Sequence, residues 1–600
     1  MYQNQHFFHI PVMGTGHSID SPARVAHLGI NSVVSIVDDL LCEKIRKYYS
    51  EHFNLPFKGI PRTAEDGRAR RITAFLDTMQ SVVNKKFEEL KSQPLFSDSL
   101  KDRYFNLLPD TNPLKAMYDE LRTLSDASNR ESLIEKLTSK MTPGSIDVNI
   151  MTKVDALSKG KDGNPQNAEY SDASAALRGY ANSSVSSSLI LSAGFNPRLY
   201  GYLSEFRDFY RDVNGRIKKS LVLKVSDFRS ALIQGKFLAK KGLEIAEFRI
   251  ESGLNCGGHA FASDGQLMPV LLREFREKKA QLAETFQPLI KSYYEQMGWE
   301  YKAETDQTPK ITVQGGIGTS GEMKRLLNDF EMDGTGWGSP FLLVPEATCV
   351  DSETMTLLAE SAEKDLYLSN VSPLGVPFNN IHNSGSDRHT KALIEKGKPG
   401  SKCPKGYLVT NTEFTEDPLC TASAEYQLLK INHIKSTVED SGIQQNEIDK
   451  VLDKTCLCTN LGTGSLIRLG ILKPEYGRQE VCPGPNIAWF NREYTLQEMV
   501  DHIYGKTKSL VDENRPHMFA KELTMYVDYI NQRMVLAWGD AKQIRQLEKM
   551  RKNVDSGIDY CLEIANSKPY KNENLTSLKK TALKQRERLN QIFEEKLEVA

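Results

Sequence analysis

Short apolar runs alternating with helical segments predict an α/β chain that closes as a TIM-type (β/α)8 barrel. The barrel is expected to carry a helical insertion and a C-terminal extension that is first Cys-, Gly- and Pro-containing and then helical. Three observations carry this. The first forty residues read as a strand (9–13), a glycine turn, a short helix opening near Asp20-Ser21-Pro22, and a second apolar run at 32–37. Further apolar runs return in series at 146–151, 188–192, 221–225, 246–250, 311–313 and 341–344. Helical stretches such as 228–241 and 268–294 separate most of them, and strands that alternate with helices build parallel sheets. Periodicity alone also admits an open sheet, but a series of this length closes naturally.

The elements follow in order. Asp20 or Ser21 suits a helix N-cap and Pro22 a first turn. Over 41–142, Ile72, Phe75, Met79, Val82 and Val83, then Leu114, Met117, Tyr118, Leu121 and Leu124, keep the i, i+3, i+4, i+7 spacing of helices. The expected organisation is therefore a barrel from 1–40 and 143–395, a helical insertion at 41–142, an irregular Cys-containing segment at 396–490 and a helical region at 491–600, ending in the charged stretch 575–599.

Composition excludes several roles. Lys plus Arg number 77 against 78 Asp plus Glu, a formal charge of -1, so nothing favours nucleic acid as a partner. The opening MYQNQHFFHIPVMG lacks a basic segment followed by a long apolar run. No stretch approaches the roughly 18–20 apolar residues that cross a bilayer. The reading is a soluble, cytoplasmic protein with no membrane partner. Nine cysteines in a long chain without an export signal favour reduced thiols or metal ligation over a disulfide framework.

The chemistry concentrates in glycine turns after strands. Glu251-Ser-Gly-Leu-Asn-Cys-Gly-Gly-His259 follows the run 246–250; a Gly-Gly pair there lets backbone approach a flat or anionic ligand, and His259 projects as an acid or base. Ile311-Thr-Val-Gln-Gly-Gly-Ile-Gly318 leads into a helix at Thr319 and Ser320, a phosphate cradle of exposed amides. Asp333-Gly-Thr-Gly-Trp-Gly-Ser339, then Pro345-Glu346, adds a second cluster, and barrels commonly bind phosphate with the loops after their last two strands.

These motifs, in this order, resemble the nitronate monooxygenases (2-nitropropane dioxygenases) and the related FMN-dependent enoyl reductases. The matching elements are Met13-Gly14-Thr15-Gly16, Cys256-Gly257-Gly258-His259, Gly315-Gly316-Ile317 and Gly338-Ser339-Pro340-Phe341 with Pro345-Glu346. The resemblance spans about residues 8–40 and 145–350. It implies a barrel flavoprotein with His259 in proton transfer, and Gly315, Gly316, Gly338 and Ser339 on the FMN phosphate. Met13 and Gly14 would lie against the ring with Gly257 and Gly258 beside it, Asn149 would hydrogen-bond it, and Lys224 would face its N1/C2 edge. Asn255 stands where the family has Glu, Cys256 where it has Ala, Gly336 where it often has Gln, and Ser339-Pro340 where it has Thr-Arg.

The implied activity is an FMN-dependent oxidoreductase acting on a small nitronate-like or other carbanion-forming molecule. An alternative is an FMN-dependent enoyl-thioester reductase using NAD(P)H, with an acyl carrier as partner. A different class remains open: a non-redox phosphate-binding barrel or an inactive scaffold. Other signals have plainer readings. Cys256 is a small buried residue rather than a nucleophile, Asp38 and Asp39 cap a helix, and the polar run 379–389 with His382, Arg388 and His389 is a surface loop. Tyr200, Tyr202, Phe206 and Tyr210 pack in a core. The late cysteines Cys403, Cys420, Cys456, Cys458 and Cys482 are buried or free thiols; the metal reading, on Cys403, Cys456, Cys458 and Cys482, lacks a Cys-x-x-Cys.

Overall fold

A computed structural model describes residues 5–597 apart from 125–126, 159, 161–163, 165, 193, 303–307 and 538–539. The first four residues and the end of the stretch 575–599 lie outside the described residues. Eight parallel strands make one sheet: β1 Phe8–His9, β2 Ser32–Ser35, β3 Ile146–Met151, β4 Ser188–Ser192, β5 Ser220–Val225, β6 Ile245–Glu251, β7 Lys310–Gln314 and β8 Gly334–Gly336. Their order is β1-β8-β7-β6-β5-β4-β3-β2. The two ends meet, because Ile10 bridges Ser32 in parallel register. The Ile10 N–H donates to Asn31 O at 2.9 Å, and the Val33 N–H donates to Ile10 O at 3.0 Å. The sheet is thus a closed (β/α)8 barrel.

Side-chain alternation sorts the strands into two faces. Val34, Val148, Leu189, Leu221, Leu223, Phe248, Ile250, Ile311 and Val313 are fully buried in the main core, where apolar area leaves water against the outer helices. The opposite parity fills the barrel interior with a small apolar plug, Val33, Ile190 and Val222, and with paired polar groups. Arg249 Nε donates to Glu247 Oε1 at 2.7 Å, and Thr312 Oγ1 donates to the same oxygen at 2.5 Å. Burial pushes Asp147 up to about 6 and His9 down to about 3, since each is held where its charged form is costly.

Between β2 and β3, which pair directly, the chain makes five helices: Asp39–His52, Gly67–Ser92, Leu100–Leu107, Pro113–Thr123 and Ala127–Ser139. The longest crosses Asp172–Ala181 so closely that a Cβ on Gly179 would lie 2.7 Å from Ala69 O. Asp38 caps the first of these helices by accepting the Leu41 N–H at 3.0 Å. Asp20 sits at the N-cap position of the helix Ser21–Val25 but makes no capping bond. Its carboxylate binds Arg24 and the Tyr49 hydroxyl instead, a buried pairing stronger than a cap to a neutral amide.

Three expectations are corrected beyond β7. The run 341–344 is a tight 3-10 turn, Ser339–Leu343, and the closing strand is the glycine-rich Gly334–Gly336 before it. The stretch 379–389 is not a surface loop: β10 (Phe378–Ile381) pairs antiparallel with β9 (Leu366–Ser369), and a helix follows at Gly385–Glu395. Asn379 is buried because its Nδ2 donates to the Leu254 and Cys256 carbonyls. The segment 396–490 contains three helices, Ala424–Thr437, Ser441–Leu452 and Leu457–Arg468. The first two are started by the caps Ser423 and Asp440 rather than by an apolar stripe. Leu496–Tyr504, Met518–Leu536, Ala541–Ala565 and Leu575–Leu597 complete the chain. Among the described residues no helix is long and apolar enough to cross a membrane.

Candidate active site

A cavity of about 230 Å³ opens at the carboxyl ends of the barrel strands. Met13, Gly14, Asn149, Lys224, Gly257, Gly258, His259, Gly315, Gly316, Gly338 and Ser339 all line it. Seven strand-end loops, far apart in the chain, therefore converge on one space, as closure of parallel strands requires.

The β7 turn and the β8 turn form its anion-facing wall. Gly315 and Gly316 adopt φ of +110° and +75°, and a Cβ on Gly316 would lie 2.1 Å from Asn255 Nδ2. Only glycine permits that backbone shape and that approach. The amides of Gly316, Ile317, Gly338 and Ser339 donate to no acceptor within the described chain, so four N–H groups remain for an anion. The Gly318 amide is used: it donates to Glu322 Oε2 at 2.8 Å. Thr319 caps the helix Ser320–Asn328 by accepting the Glu322 N–H.

Much of the wall is supplied by residues that motif reading passed over. Arg515 donates from Nε to Asn486 Oδ1 (2.8 Å), from Nη1 to Glu322 Oε1 (2.7 Å) and from Nη2 to Gly316 O (2.5 Å). Asn486 Nδ2 donates to Ile317 O at 2.8 Å. The Gly484 N–H donates to Ser339 Oγ at 2.8 Å, and the Gly258 N–H to Cys482 O at 3.1 Å. The C-terminal extension is thereby part of the site. Cys482-Pro-Gly-Pro485 carries a loop signature, whereas nothing local marks Arg515.

His259 lies opposite. Its Nε2 and Ser372 Oγ share a hydrogen bond of 2.7 Å, and its ring meets Phe378 edge-on with centroids 5.0 Å apart. Nδ1 makes no hydrogen bond within the described chain, so one ring nitrogen stays available. Burial first, then the nearby Lys153 charge, holds the imidazole down to about 4. It is neutral at physiological pH and suited to accept a proton.

The floor is polar and balanced. Lys224 Nζ pairs with Glu251 Oε2 at 2.6 Å, and Gln314 Nε2 donates to Glu251 Oε1 at 2.6 Å. The cation expected to stand alone is therefore compensated. Asn149 Oδ1 and Gln314 Oε1 are buried acceptors without a partner in the chain, which a donor on a bound ring edge would satisfy. A Cβ on Gly258 would meet no atom within 4 Å, so open space lies over that turn. Uncommitted amides for a phosphate, orphaned acceptors for a heterocycle and room between them fit an FMN-sized mononucleotide.

The late cysteines separate. Cys482 packs with Phe378, Leu457 and Leu461, while Cys403, Cys420 and Cys458 belong to another cluster. Among the described residues no three His, Cys, Asp or Glu side chains form a group able to hold a metal ion, which corrects the metal reading of Cys403, Cys456, Cys458 and Cys482. All nine thiols are unpaired.

No known family profile matches the sequence, and no curated protein matches it. Among solved structures, FabK from Thermotoga maritima is similar over 87% of this chain and 96% of its own, with 11% identity and a TM-score of 0.36. The enoyl reductase domain of MlnA from the macrolactin biosynthesis cluster from Bacillus amyloliquefaciens is similar over 84% of this chain and 95% of its own, with 13% identity and a TM-score of 0.40. Likeness at this level carries no inference about activity.

Proposed function

We propose that the chain is an FMN-dependent oxidoreductase of the nitronate monooxygenase kind, acting on a small nitronate-like or other carbanion-forming substrate. One observation carries the reading: four uncommitted backbone amides, two orphaned acceptors and a neutral imidazole face one cavity at the carboxyl ends of a closed parallel barrel. The Gly316, Ile317, Gly338 and Ser339 amides would hold the phosphate. Met13, Gly14, Gly257 and Gly258 would pack along the ring, Asn149 would accept from it, and the Lys224 and Glu251 pair would border its polar edge. Bound FMN supplies a two-electron acceptor. His259 takes the substrate proton, and Ser372 and Phe378 hold its ring in place.

A second reading is an FMN-dependent enoyl-thioester reductase with NAD(P)H as donor and an acyl carrier as partner. It is favoured by the apolar rim of Leu374, Phe378, Leu408, Leu457 and Leu461 on the cavity, a surface suited to an alkyl chain. The test is colour followed by turnover. Purified protein is expected to absorb near about 450 nm and to release FMN on denaturation. Bleaching by nitronates supports the first reading, and bleaching by NADH or NADPH with reoxidation by enoyl thioesters supports the second. Protein that stays colourless after incubation with FMN leaves a non-redox phosphate-binding barrel or an inactive scaffold.

A further inference from the structure

Cys403 and Cys420 come together through the segment that walls the cavity mouth. Ser401 bridges Ser423 in parallel register: the Ser401 N–H donates to Ala422 O at 3.0 Å and the Ala424 N–H to Ser401 O at 2.8 Å. This brings the two thiols into hydrogen-bond contact. Cys420 is buried and packs in a cluster with Tyr407 and Leu408, both of which line the cavity, whereas Cys403 is only partly covered. The turn holding Cys403 is fixed on its other side, where Lys405 Nζ donates to Cys458 O at 3.0 Å and pairs with Asp38.

We propose that Cys403 and Cys420 are a redox-active dithiol that a hydroperoxide oxidises to a disulfide, closing residues 404–419 into a loop against the cavity mouth. Cys403 is the attacking sulfur: the hydrogen bond from Cys420, against burial and with help from the Gly406 amide, holds its thiol down to about 6. A thiolate that is both reachable and populated is the one that reacts. Burial pushes Cys42, Cys256, Cys349 and Cys458 the other way. The Cys403 thiolate attacks a peroxide oxygen, so that an S–O bond forms and the O–O bond breaks; the released alkoxide or hydroxide leaves as alcohol or water. Cys420 then attacks the sulfenic sulfur. The S–S bond forms, the S–O bond breaks, and hydroxide leaves as water with the Cys420 proton. Two thiols lose two electrons, and the peroxide is reduced by two. Thiol reductants reverse the step.

The chemistry needs no flavin, so it stands or falls apart from the functional reading above. The full chain is treated with equimolar hydrogen peroxide, the remaining thiols are alkylated, and peptides are mapped by mass. The expected result is a linked Cys403/Cys420 peptide pair, lighter by two hydrogens and restored by dithiothreitol, with the buried thiols still alkylatable only after unfolding. C420S, with its melting point checked against the parent, is expected to leave Cys403 as a sulfenic acid trapped by dimedone, and C403S to leave Cys420 unmodified. Sulfinic acid at Cys403 without a crosslink in the parent, a first crosslink through Cys456 or Cys458, or zinc or iron bound to these thiols in the purified protein would each overturn the proposal.

Discussion

Replacing Arg515 with Met tests whether the C-terminal extension holds the anion-facing wall together. Arg515 and Glu322 are both buried, their side chains 5% and 1% exposed. Without the guanidinium, Glu322 keeps only the Gly318 and Met518 amides. The Met side chain replaces most of the stem packing, so the main cost is the stranded carboxylate. Removing one partner of a buried ion pair costs about 3–5 kcal/mol. The pH dependence gives the signature. In the parent, burial raises the Glu322 pKa, but Arg515 first, then His517 and the Gly318 amide, lower it by more, leaving it below 4.5. That contribution is present above the unfolded value and is lost as pH falls through the folded one. In R515M burial dominates and the folded pKa lies above the unfolded value, so stability is kept in acid and lost as pH rises. Urea unfolding of parent and variant, followed by tryptophan fluorescence at about pH 5 and about pH 8, should show the larger deficit at the higher pH. The added change Glu322→Gln should recover much of it. A deficit under about 1 kcal/mol, or one equal at both pH values, would refute the reasoning.

Three further outcomes are expected. His259→Gln should lower turnover by about 10²–10⁴-fold with flavin content unchanged, and the parent rate should rise as pH passes about 4 and stay flat through neutrality; a limb near 6.5, or equal loss of flavin and rate, would assign the ring another role. Gly316→Ala should destabilise by at least about 2 kcal/mol, from left-handed strain of about 1–2 kcal/mol and a displaced Asn255, measured by thermal unfolding. A shift within about 0.5 kcal/mol would contradict it. Acid should weaken the fold between pH 6.5 and about 4: burial holds His6, His9, His17, His27, His259 and His502 down to about 3 or 4. Each contributes stability that is present above 6.5 and lost as pH falls. Asp147, Glu480 and Glu522, pushed up to about 6, 7 and 7, act oppositely but are half as many. Unfolding midpoints that rise on acidification through this window would contradict the balance.

The barrel was legible where strands are continuous apolar runs, because burial on both faces leaves that imprint; β3 to β7 fall on the runs read from the sequence. β8 left none: Gly-Thr-Gly pairs through its backbone between β7 and β1, and the apolar run after it turns at Pro340 instead. Glycine turns announced the cavity wall because φ above zero restricts residue choice at Gly315 and Gly316. What packs against them did not show. Arg515 and Asn486 reach the wall from about 170–200 residues further along, by side chains whose neighbours in sequence carry no pattern, and Asn379 looked like a loop residue because its two carbonyl partners are distant. The helices at 424–437 and 441–452 escaped for the converse reason: both are largely exposed, so no stripe of apolar residues marks them.

The central claim is that backbone amides at 316, 317, 338 and 339 grip a phosphate while the ring lies over the barrel floor. Parallel equilibrium titrations of flavin-free protein with FMN and with riboflavin, followed by quenching of flavin fluorescence, isolate that phosphate. The account predicts stoichiometric binding of FMN and affinity for riboflavin weaker by about 100-fold or more, since two charge-assisted hydrogen bonds of about 1.5–3 kcal/mol each suffice for that difference. Equal affinity for the two, or none for either, would contradict it.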